Sequence, residues 1–214
     1  MRPSLFVALL LACCLLPTGA SLAQDEEQLS DCWGRDRAKA RACRLMVAAV
    51  YHAMQYAQAE RGLERESCGY GKDVDDVAAR LKDDLLAVRV RNPSLPTLGV
   101  VVTTLSTSRA CERGLATSYG GPTTGWLLKT CERGLKDDDE MRACAAYLGA
   151  TFETLNLASA WHGADAFVCA PETGVKGKRL LELLIDATIA DMPLQTRPAV
   201  EGVAVSVAKE FPCR

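Results

Sequence analysis

Eight cysteines beyond residue 31 fall into two sets with nearly the same spacing. Cys32, Cys43, Cys68 and Cys111 are 11, 25 and 43 residues apart, and Cys131, Cys144, Cys169 and Cys213 are 13, 25 and 44 apart. Other matches keep the same register. Arg41-Ala42-Cys43 faces Arg142-Ala143-Cys144, Ala49, Ala57, Ala59 and Gly62 face Ala150, Ala158, Ala160 and Gly163, and Val74 faces Val175. The chain therefore reads as one unit written twice, each copy carrying its own covalent anchors. The spacing predicts a first repeat over 24–115, a linker over 116–125 rich in glycine and hydroxyl residues, and a second repeat over 126–214.

Residues 1–23 read as an address. Arg2 precedes an apolar run from Leu5 to Leu16, Pro17 and Gly19 break it, and Ser21-Leu22-Ala23 offers small residues to a signal peptidase. The run is too short to span a bilayer. Leu10-Leu11-Ala12-Cys13 could instead be a lipoprotein box that leaves Cys13 acylated; the short apolar run before it makes this the lesser reading. Cleavage after Ala23 removes Cys13 and Cys14 and leaves an even set of eight cysteines, the pattern of disulfides in an oxidising compartment. With 49% hydrophobic and 24% charged residues the chain is globular, and a formal charge of -2 provides no basic field for nucleic acid. No later apolar run is long enough for a transmembrane helix.

Within each copy the periodicity is helical, so the predicted fold is all-α: two tandem disulfide-stapled helical domains. A helix of about 17 residues is expected from Cys43, with Met46, Ala49, Val50, Ala53 and Ala57 on its buried face and Arg44, His52 and Gln55 opposite. In the second copy Leu148, Phe152, Leu155 and Ser159 form the matching stripe. Val74, Val77, Leu81, Leu85 and Val88 predict an amphipathic helix, with Asp73 and Asp76 placed to cap it and Asn92-Pro93 to end it. Leu181, Leu184 and Thr188, followed by Met192-Pro193, predict its counterpart. Gly99 to Leu105 is β-branched, yet Val200, Val203 and Val207 keep helical spacing, and helix is expected in both.

Four cysteines allow three pairings in each copy. A helix of that length spans about 25 Å, which separates Cys43 from Cys68 by more than the ~7 Å that a disulfide bridges. The preferred pairs are Cys32 with Cys43, Cys68 with Cys111, Cys131 with Cys144 and Cys169 with Cys213. Pairs crossing between the copies also fit the spacing.

The second copy reads Thr124-Gly125-Trp126-Leu127-Leu128, then Cys131, then Ala143-Cys144-Ala145-Ala146-Tyr147-Leu148-Gly149, then Phe167-Val168-Cys169-Ala170-Pro171, and finishes Glu210-Phe211-Pro212-Cys213. Over about residues 123–213 this resembles the Rap1a/Tai family of periplasmic immunity proteins, which protect Gram-negative bacteria from peptidoglycan amidases delivered by type VI secretion. The first copy keeps the cysteines and helix pattern, but Ser67-Cys68-Gly69-Tyr70 lacks the proline and Ser108-Arg109-Ala110-Cys111 replaces Phe-Pro-Cys. The resemblance implies a small all-helical protein that binds an amidase toxin and obstructs its cleft, with no chemistry or cofactor of its own. Relatives with one such domain act as homodimers, which implies that this duplication joins two protomers into a pseudo-dimer.

The residues point the same way. There is no Gly-x-Ser-x-Gly, no His-Glu-x-x-His, no Cys-x-x-Cys and no phosphate-cradling loop. His52 and His162 hold non-equivalent positions and are expected at the surface, and neither a metal site nor a catalytic residue is predicted. Asp137-Asp138-Asp139-Glu140 is read as favouring the positive end of the helix begun near Cys144. Binding candidates are loops held by a disulfide: Tyr70, Gly71 and Lys72 after Cys68, and Glu172, Thr173, Gly174 and Lys176 after Cys169, although a plain interhelical turn explains each as well. Trp161 and His162 could anchor a partner, and core packing serves Trp161 equally well. Trp33 and Trp126 read as core. A periplasmic binding or chaperone module exposing an apolar groove is the alternative to a dedicated toxin partner, and a cell-wall enzyme is the remote third reading.

Overall fold

The computed structural model describes residues 29–60, 73–107, 121–162, 168–171 and 173–213, with only the backbone described for 159–162. The signal segment, Cys68, Cys111, Tyr70, Gly71, Lys72 and Glu172 lie outside the described residues. Among those described there is no strand, and the all-α expectation holds.

A 3-10 turn over Leu29–Trp33 leads into α1 (Arg37–Glu60), α2 (Val74–Arg91) and α3 (Thr97–Thr107). The second repeat supplies α4 (Thr124–Gly134), α5 (Asp138–His162), α6 (Gly177–Ala190), a 3-10 turn over Met192–Thr196 and α7 (Ala199–Ala208). The order of elements thus recurs: a short first element, a long helix, then two shorter ones. α4 opens at Thr124, inside the stretch expected to be linker.

Three of the helix starts carry an aspartate cap. Asp36 caps α1 by accepting from the backbone N–H groups of Ala38 and Lys39 at 3.0 and 3.1 Å, so α1 begins six residues before Cys43 and the expected start there was too late. Asp137 likewise accepts from Asp139 N–H at 2.9 Å, so the acidic run belongs to the first turn of α5, where carboxylates meet the positive helix end. Asp73 accepts from Asp75 N–H and Asn92 ends α2 before Pro93, both as the sequence predicts.

The long helices α1 and α5 pack along each other at the centre, α2 and α3 lie against α1, and α4, α6 and α7 lie against α5. Contacts between the central pair run from Arg41 with Glu140 to His52 with Tyr147, advancing in the same direction along both helices. The buried side chains form a cluster that passes through both repeats, so the two copies share a core. Trp33 and Trp126 are partly buried against it.

α1 departs from the amphipathic expectation. From Val47 to Gln58 every residue is buried, including His52 and Gln55, which were expected to face solvent. A helix covered on all sides is a central rod, and Ala48, Ala49, Ala53 and Ala57 keep it slim enough for neighbours to approach. α2 keeps the predicted face, with Val77, Leu81, Leu85 and Val88 buried. The β-branched segments are helices as expected, with Val100 to Val102 in α3 and Val200, Val203 and Val207 in α7 all buried.

Among the described residues three disulfides join Cys32 to Cys43, Cys131 to Cys144 and Cys169 to Cys213, as preferred from the sequence, and the fourth preferred pair, Cys68 with Cys111, lies outside the described residues. The first two pin the opening element of each repeat to its long helix. The third ties the chain terminus to the segment that leaves α5.

Candidate functional site

The segment after Cys169 is built from its root upward. Cys169 N–H donates to Phe211 O at 3.0 Å, Ala170 N–H donates to Asn156 Oδ1 at 3.0 Å, and the disulfide to Cys213 closes the same point covalently. The Phe211 ring meets Phe152 edge-on at 5.8 Å between centroids, which fastens the returning tail to α5. From this base the backbone rises into a turn in which Gly174 N–H donates to Pro171 O at 2.8 Å. Gly174 has φ +72°, a conformation that costs a residue with a Cβ about 1 kcal/mol or more.

Pro171, Thr173 and Lys176 are exposed on this turn, and Gly174 is half-buried. Lys176 precedes α6 without giving it a side-chain cap. Three of the four residues nominated after Cys169, namely Thr173, Gly174 and Lys176, therefore sit together on one clamped turn. Trp161 and His162 form the last turn of α5, with side chains outside the described residues. Asn156 was missed in the sequence because a side chain that latches a backbone 14 residues away leaves no local signature.

The seam between the repeats holds a second polar cluster. His52 is fully buried, which overturns its expected surface position. Its Nδ1 lies 3.2 Å from the Tyr147 hydroxyl, and its Nε2 has no hydrogen-bond partner among the described residues. Burial holds the imidazole neutral, with its pKa lowered to about 4, and pushes the Tyr147 phenol up. Tyr147 also meets Trp126 edge-on at 6.3 Å, joining α4 to the same cluster.

Nearby, Glu140 accepts from both guanidinium nitrogens of Arg41, at 2.5 and 3.2 Å, and pairs with Arg133 at 3.1 Å. The hydrogen bond from Arg41 is the main reason its carboxyl lies below the usual range. One carboxylate thus bridges α1, α4 and α5 across the two repeats. A surface depression on the outer side of α4 is lined by Lys129, Glu132, Arg133 and Lys136. Among the described residues no group of three histidine, cysteine or acidic side chains could hold a metal ion, and no helix is long and apolar enough to cross a membrane.

No family model, no curated protein and no solved structure matches this chain.

Proposed function

We propose that this protein is a periplasmic immunity protein that binds a peptidoglycan amidase delivered by type VI secretion and blocks its cleft, the duplicated repeats acting as a pseudo-dimer within one chain. The motifs of residues 123–213 supply the family expectation. The observation that carries the reading is the clamped turn: a segment already fixed by a disulfide and two hydrogen bonds loses little further entropy when it docks. The turn carries Gly174 without a side chain, and Thr173 and Lys176 are exposed beside it as polar contacts. The three disulfides fit an oxidising compartment.

The test is inhibition. The mature chain, added to purified type VI amidase effectors from the same cells, is expected to co-elute with one of them and to stop its hydrolysis of peptidoglycan at a stoichiometric ratio. Undiminished hydrolysis by every such effector would reject the reading.

A further inference from the structure

The three described disulfides differ in what covers them. Cys32 and Cys43 are 0% exposed, Cys131 and Cys144 are 1% exposed, and all four stand in the apolar core. Cys169 is exposed and Cys213 half-buried. A thiolate opens a disulfide by attacking one of its sulfurs, so access decides which bridges of a folded protein react. The two core bridges are reached only when the opening element of a repeat lifts off its long helix. The third stands at the surface of the folded protein.

The surroundings of the third bridge also survive its opening. Phe211 N–H donates to Val207 O at 2.9 Å, the Phe211 ring meets Phe152 edge-on, and Glu210 accepts from Arg179 at 2.7 Å. These contacts hold the tail as far as Phe211, two residues short of Cys213. What the bridge alone supplies is a covalent hold on the root of the turn over 171–176. Without it that root keeps two hydrogen bonds, from Cys169 N–H to Phe211 O and from Ala170 N–H to Asn156 Oδ1. Cys169 is exposed and Ala170 half-buried, so these two bonds open locally at little cost.

We propose that Cys169–Cys213 is a thiol-exchange site, opened in the folded protein by a dithiol reductant that leaves Cys32–Cys43 and Cys131–Cys144 intact, and that its opening releases the turn. One thiolate of the reductant attacks Sγ of Cys169, the more exposed partner; the S–S bond breaks and Cys213 leaves as a thiolate. The second thiolate of the reductant then attacks the mixed disulfide and Cys169 leaves in turn. The two cysteines take up the two protons that the reductant's thiols gave up, two electrons pass to the protein, and the reductant becomes a disulfide. A disulfide oxidant runs the same steps backwards. The rigidity of the turn thereby follows the thiol–disulfide balance around it. Its consequence for docking rests on the proposed amidase binding, whereas the exchange site does not.

The test treats the folded, fully bridged chain with dithiothreitol, traps free thiols with iodoacetamide and identifies them by peptide mass spectrometry. Cys169 and Cys213 are expected to be alkylated at least about a hundredfold faster than Cys32, Cys43, Cys131 and Cys144, with helicity unchanged by circular dichroism. Over the same interval tryptic cleavage after Lys176 is expected to rise about tenfold or more, and to fall back on reoxidation with oxidised glutathione. In Cys169→Ser with Cys213→Ser that cleavage should be high from the start and indifferent to dithiothreitol; should this variant not fold, the reversal on reoxidation decides. Equal rates at the three bridges, a loss of helicity with the third, cleavage that does not rise, or a rise that persists in the folded double variant overturns the proposal. If the turn is released and the amidase remains inhibited, the turn is no part of the toxin interface and the exchange site stands.

Discussion

Gly121 lies flat against the buried imidazole of His52: a Cβ at Gly121 would stand 2.8 Å from His52 Cε1 and 2.9 Å from Nδ1. The glycine also has φ +123°, which side chains rarely tolerate. The chain entering the second repeat is thus held against the central helix of the first by the absence of a side chain.

Gly121→Ala is expected to destabilise the protein by about 2–3 kcal/mol, summing backbone strain and overpacking. The steric part depends on the ring. In a His52→Ala background the added cost of Gly121→Ala should shrink to the strain alone, about 1 kcal/mol. Urea denaturation of the four proteins in this cycle measures the coupling, and additive effects would show that the ring and the glycine do not constrain each other.

His52 also predicts a pH dependence whose sign follows from its lowered pKa. The unfolded imidazole takes up a proton near pH 6.5, whereas the folded one resists until about pH 4. Below pH 6.5 the unfolded state therefore binds more protons. Stability is complete above that pH and falls as pH drops towards 4, by about 3 kcal/mol over the window. Carboxylates join in below pH 5, so the informative comparison is between pH 6.5 and 5, where His52→Leu should lose most of the slope. Equal slopes for the two proteins would assign it elsewhere.

These two residues mark the limit of what the sequence reveals. The α2 face was legible because Val77, Leu81, Leu85 and Val88 recur at helical steps against a solvated outer face, so one pattern carried both element and orientation. His52 and Gln55 sit on α1 among alanines, and periodicity assigns them to the polar side of a half-exposed helix. The packing of the other repeat and the approach of Gly121 bury that side, and these are contacts between residues about 70 to 100 positions apart. Helix length excluded only one of the three pairings in each copy, and the choice between the other two is made by the packing that brings Cys32 to Cys43 and Cys131 to Cys144. The clamped turn after Cys169 was legible from its glycine and its cysteine, while the Asn156 latch was not.

Glu140 joins both repeats through Arg41 and Arg133, so its removal should register as a loss of coupling between them. Glu140→Gln is expected to cost about 1–2 kcal/mol, more than a surface ion pair, because Arg41 makes a two-pronged contact in a partly buried place. Most of that cost is charge-dependent and should diminish in 1 M salt. Thermal melts of both proteins at low and high salt provide the check; a penalty that ignores salt would indicate packing instead.

Opening the Cys169–Cys213 bridge separates the turn's rigidity from its composition. In the chain-entropy model a closed loop of this length stabilises by about 4 kcal/mol, the upper end of what Cys169→Ser with Cys213→Ser should lose. The hydrogen bonds of Cys169 N–H and Ala170 N–H would then hold the turn alone, and protease cleavage near Pro171–Lys176 should rise. If docking depends on a preformed turn, amidase affinity should fall about tenfold or more in this variant at temperatures where it remains folded. Gly174→Ala keeps the bridge but strains the crest, and should weaken binding while leaving proteolysis almost unchanged. Equal binding by the bridged and unbridged proteins would remove the clamped turn from the interface.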